Sequence, residues 1–140
     1  MGTLQELFPT RHGRCGLMDL FSPRNMNIPR ISAALEPVQS LKLTASYLMF
    51  WLADTNDGLY PESGAARNQN GYGIHPGSNS FVGSELDLVA NYTARAWLNL
   101  QVGYGHFFVG DYIKEAIATV PANGGTVAAD WLYAQAIFNF

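Results

Sequence analysis

The side chains able to do chemistry are few in this chain, and their spacing restricts what they can do. His12, His75 and His106 lie in separate segments with no ligand interval between them, so they define no metal set. The stretch "DTNDG" (54–58) has its acidic residues out of step with a calcium loop and no bidentate Glu at the twelfth position, and it reads as a polar turn. In "GYGIHPG" (71–77) the glycines fall at the wrong intervals for a dinucleotide loop, and no strand precedes them. Ser84 and His106 share one face of neighbouring predicted strands, where a lipid hydrolase could use them, but nothing in the sequence supplies an orienting acid or oxyanion donors. Cys15 is the only cysteine, which excludes an internal disulfide and a cysteine-based zinc site. No cofactor is implied.

The remaining charged and amide groups are placed by alternation. Period-two patterning predicts five strands, over 28–36, 41–53, 81–92, 97–108 and 131–140. In the second, Leu41, Leu43, Ala45, Tyr47, Met49 and Trp51 share a face opposite Lys42, Thr44 and Ser46, although Leu48, Phe50 and Leu52 break the polar rule. The third sets Leu86, Leu88, Ala90 and Tyr92 against Glu85, Asp87 and Asn91, and the fourth sets Leu98, Leu100, Val102 and Tyr104 against Asn99 and Gln101. Arg30, Lys42, Glu85, Asp87, Asn99 and Gln101 are therefore assigned to one common face. Two carboxylates on it need water or partners, because burying them unpaired is costly. "YIKEAIATV" (112–120) has helical spacing, and fits either a short helix or the edge of a loop.

Composition and connections set the architecture. Hydrophobic residues make up 48% of the 140 and charged residues only 14%, against roughly 25% in soluble domains, which leaves little charge for a wet exterior. The net charge is −3 with no basic cluster, which argues against nucleic acid as a partner. No stretch approaches the ~18 apolar residues of a spanning helix, and "MGTLQELFPTRHGR" is not a signal peptide. Short links, "PVQS" (37–40) and "TARA" (93–96), alternate with long ones, 54–80 and 109–130. That alternation is the signature of an all-β, antiparallel up-and-down transmembrane β-barrel with tight periplasmic turns and long extracellular loops. The aromatics Tyr47, Trp51, Tyr92, Trp97, Tyr104, Phe108, Trp131, Tyr133, Phe138 and Phe140 fall towards strand ends, as girdles do. A soluble lipocalin-like binder of a small molecule is the alternative architecture, but five legible strands and such long loops fit it less well.

Four stretches, "LFPTRHGRCGLMDLF" (7–21), "LTASYLMFWLADTNDGLY" (43–60), "FVGSELDLVANY" (81–92) and "VGYGHFFVGDYI" (102–113), stand in this order ahead of "YAQAIFNF". Together they resemble the C-terminal part of the alginate export family of outer-membrane β-barrels. The resemblance implies a barrel, monomeric when full length, that passes a polar or anionic solute, a polysaccharide such as alginate or something smaller, across the bacterial outer membrane. It implies a porin-like channel working by passive diffusion, with no enzymatic role and no cofactor. About five strands cannot close around a lumen, so residues 1–140 are expected to be the C-terminal part of one barrel domain, with 1–27 as an extracellular loop region. Arg30, Lys42, Glu85, Asp87, Asn99 and Gln101 are then expected to line the pore, with Lys42 or Arg30 pairing Glu85 and Asp87 across strands. Phe140, with Phe138 before it, would be the ending read by the barrel-assembly machinery, and the outer strand faces would meet lipid.

Overall fold

The structure, a computed structural model, describes residues 15–60, 79–119 and 128–139. Among these, six antiparallel strands form one sheet: β1 (Met26–Asn27), β2 (Arg30–Val38), β3 (Leu41–Leu52), β4 (Phe81–Arg95), β5 (Leu98–Val109) and β6 (Ala129–Phe138). The order is β2 or β1 beside β3, then β4, β5 and β6. All five predicted strands are present within a few residues of their expected bounds. The sequence pattern missed β1, whose two residues are too short to show a period, and Asp111–Thr119 forms the helix α1 rather than a loop edge. The sheet is not closed into a barrel among the described residues, because β6 pairs only with β5 and β2 only with β3.

Pairing register carries the alternation across the whole sheet. One face presents the cross-strand rows Ile31–Tyr47–Leu86–His106–Asp130, Ala33–Ala45–Leu88–Tyr104–Leu132, Leu35–Leu43–Ala90–Val102–Ala134 and Leu41–Tyr92–Leu100–Ala136. Apart from Ser84 and the row that ends in His106 and Asp130, this face is apolar, and much of it is open, with Ile31 and Leu132 each 70% exposed. The opposite face presents the rows Arg30–Leu48–Glu85–Phe107–Ala129, Ser32–Ser46–Asp87–Gly105–Trp131, Ala34–Thr44–Val89–Gly103–Tyr133 and Lys42–Asn91–Gln101–Gln135. The six residues assigned to a common face do share it, since Asn99 follows in register with Thr93 and Ile137.

The core lies at the long-loop end of this second face. Phe21, Leu48, Phe50, Leu52, Leu59, Val82, Phe107, Tyr112 and Ile113 pack there, with the rings of Phe21, Phe50 and Phe107 5.4–6.1 Å apart. The broken rule in β3 thus has a cause: Leu48, Phe50 and Leu52 sit under a cap built from residues 15–22, Leu59 and α1. Asp54–Gly58 is a polar turn, as expected, with the Asp54 Oδ1 accepting both the backbone N–H and side-chain amide of Asn56. Burial pushes the Tyr112 phenol at the base of α1 up to about 12, although a backbone hydrogen bond with Leu59 pulls the other way.

Candidate site on the polar face

Glu85 and Asp87 stand two residues apart on β4 and are 0% and 3% exposed. They are covered by the chain's own backbone: the Leu17 N–H donates to Asp87 Oδ2 at 3.2 Å and the Met18 N–H to Glu85 Oε1 at 3.0 Å. Gly16 makes that approach possible, because its φ of 94° is in the left-handed region and a Cβ there would fall inside the Glu85 carboxylate. Met18 lies over Gly105 beside Asp87. Residues 15–22 are therefore laid across the face and pinned by two acids on one side and by Phe21 in the aromatic core on the other.

The expected pairing of Lys42 or Arg30 with these acids takes a different form. Lys42 Nζ lies 3.6 Å from Glu36 at the tight-turn end, with both side chains more than half exposed, because its register puts it opposite Asn91 and two rows from Asp87. Arg30 donates to Ser46 Oγ at 3.0 Å and to Ser32 Oγ at 3.1 Å, and Ser46 is the cross-strand neighbour of Asp87. Ser46 thus stands between the guanidinium and Asp87, while Leu48 separates Arg30 from Glu85 in their shared row.

Further towards the tight turns, amides replace charges. Gln101 Oε1 accepts the Tyr133 phenol and the Gln135 amide, each at 2.8 Å, while the Gln101 amide donates to Asn91 Oδ1. Tyr133 lies where a Gly103 side chain would be, and Trp131 stands beside it with ring centroids 4.8 Å apart. Both rings were expected in the aromatic girdle and are instead on the polar face, because their partners in register are Gly103 and Gly105. Alternation in the last strand already groups Tyr133 with Gln135 and Asn139, opposite Leu132, Ala134, Ala136 and Phe138. Phe138 is on the apolar face and stacks on Trp97 at 6.2 Å, while Phe140 lies outside the described residues, as do His12, His75 and "GYGIHPG".

On the apolar face, Ser84 and His106 do not form a catalytic pair. The Ser84 hydroxyl accepts the Tyr47 phenol O–H at 2.8 Å, and His106 Nδ1 meets Asp130 Oδ1 at 2.7 Å. An acid does orient the imidazole, which the sequence did not reveal, but the serine is committed elsewhere. Among the described residues no group of three or more His, Cys, Asp or Glu could hold a metal ion, and no helix is long and apolar enough to cross a membrane.

The described residues thus form an antiparallel sheet with one exposed apolar face and one polar face crossed by residues 15–22. Residues 1–124 match the family described as alginate export. The chain belongs to the alginate export family, whose members are outer-membrane proteins of transport rather than enzymes. No characterised relative and no solved structure matches it.

Proposed function

We propose that this sheet is part of the wall of an outer-membrane β-barrel channel through which a polar or anionic solute diffuses. The observation that carries this reading is the division of the sheet by register into one apolar, exposed face and one polar face. Leu98 to Phe108 would rise roughly 34 Å along β5 and, at a tilt of about 40°, cover about 26 Å of depth, close to the ~25 Å apolar band of such barrels. The Trp97–Phe138 stack would then mark the periplasmic rim and the His106–Asp130 pair the outer one.

Arg30, Lys42, Asn99 and Gln101 form the visible part of the pore lining, while Glu85 and Asp87 lie beneath residues 15–22 and hold that segment where it narrows the extracellular mouth. Closure of the wall needs further strands beside β2 and β6, which fits a C-terminal portion of a larger, monomeric barrel. Lipid covers the apolar face, and the assembly machinery reads Phe138, the last residue of β6, together with Phe140. Planar-bilayer recording of the gene product purified from the outer membrane tests the reading. Stepwise ion conductance is expected, with R30E or K42E shifting its selectivity towards cations, and a protein that forms no conducting steps would exclude it.

A further inference from the structure

We infer that Tyr133 and Trp131 form a stacking platform for neutral pyranose rings, so that the passage favours uncharged saccharides over polyuronates; this rests on the channel reading above. A sugar ring offers an apolar C–H face rimmed by hydroxyls, and its complement is an aromatic surface bordered by amides. Both are present in one place. The Tyr133 ring crosses the position a side chain at Gly103 would occupy, so β5 gives up that side chain and the ring lies against bare backbone.

Its phenol is fixed to Gln101 Oε1, which also takes the Gln135 amide, and the other end of Gln101 is tied to Asn91. A ring held at both its edge and its hydroxyl loses little freedom when a ligand settles on it. Trp131 extends the surface one position along the same face, tilted 33° to Tyr133.

Charge on this face points the same way. Asp87 shares the cross-strand row of Trp131 but lies buried beneath the Leu17 N–H, with Met18 over the Gly105 between them, so that row offers a carboxylated sugar no counter-charge. Lys42 shares the row of Gln135 but stands three strands away, about 14 Å at ordinary strand spacing. It also leans to Glu36, and Arg30 is held by Ser32 and by Ser46, three strands from Trp131, so neither cation flanks the rings.

The test is block of single-channel current in the purified gene product by maltohexaose, a neutral hexasaccharide, and by an oligomannuronate of equal length at the same ionic strength. Maltohexaose is expected to block, and to block more tightly than the uronate. Y133F keeps the ring and should stay within about threefold of the natural protein, while Y133L keeps bulk over Gly103 without a ring and should weaken block roughly five- to tenfold. If Y133L does not assemble, W131L carries the same comparison. Conductance without maltohexaose block, tighter block by the uronate, or ring-free variants that bind as the natural protein does would each overturn the platform alone. Absence of any conductance would remove the channel reading and the platform with it.

Discussion

Replacing Phe21 with Ala should free residues 15–22 from the polar face. The ring is 7% exposed, with centroids 5.6 Å from Phe50 and 5.4 Å from Phe107, so its loss removes both aromatic contacts and leaves a cavity, at about 3–5 kcal/mol. What remains is polar: the Leu17 and Met18 N–H bonds to the acids and the Ser22 N–H bond to the Tyr60 carbonyl at 3.0 Å. Hydrogen bonds contribute about 0.5–3 kcal/mol each, but here they offset the cost of burying two neighbouring acids. The apolar anchor is therefore the larger net contribution, and 3 kcal/mol is more than a hundredfold in the docking equilibrium, at about 1.4 kcal/mol per factor of ten. Hydrogen exchange at Leu17 and Met18 should accelerate by about that factor in F21A, and single-channel conductance should rise. L132A, on the open face, is the control and should change neither. Exchange at the natural rate in F21A would show that the acids alone hold the segment, reversing the ranking of the two anchors.

Three other perturbations follow from the same packing. Gly16→Ala places a Cβ in the Glu85 carboxylate at a strained φ, so the segment should lift and the buried Cys15 thiol should become reactive to maleimide within minutes; protection equal to the natural protein's would contradict the close approach. Val102→Arg puts a charge in the middle of the apolar face and should cost about 2–4 kcal/mol in lipid, measured as a lower folded fraction by heat-modifiable migration; unchanged assembly would mean that this face does not meet hydrocarbon. The folded state holds the Tyr112 proton to about 12 against 10.0 for a free phenol. Between those values the unfolded chain has lost the proton and the folded one keeps it, so cap stability should fall as pH rises from 10 to 12. Y112F should flatten that limb in an alkaline titration followed by tryptophan fluorescence, and an identical limb would clear Tyr112 of the effect.

Period two revealed the strands because each face meets one environment along most of its length, and the register of Lys42, Asn91, Gln101 and Gln135 in one row was implicit in that alternation. It faltered at Leu48, Phe50 and Leu52, where the environment of the same face changes from polar to the underside of a cap that is distant in sequence. Strand-by-strand reading has no access to such a contact, and it missed the backbone of Leu17 and Met18 as the partner of Glu85 and Asp87 for the same reason. The sequence suggested side-chain cations instead, since a backbone N–H leaves no trace in residue type. Asp130 beside His106 was hidden differently: its pairing depends on the β5–β6 register, which is set across a long connection. The resemblance to alginate exporters was legible from ordered stretches covering most of the chain, and the family match over 1–124 supports it.

The outer edge of β6 has a consequence for the order of events during biogenesis. Among the described residues the ten-residue β6 is paired on one side only, which leaves about half its amides and carbonyls facing outward, and in the proposed barrel wall hydrocarbon would offer them nothing to bond. At several kcal/mol each, leaving such an edge bare in lipid would cost tens of kcal/mol, more than the apolar face gains row by row. If the sheet is the barrel wall proposed above, it cannot enter the bilayer edge-first and seal afterwards. On that reading β6 finds a neighbour while still in water or in the grip of another protein, so the moment of insertion is set by a strand pairing and not by the hydrophobicity of the wall.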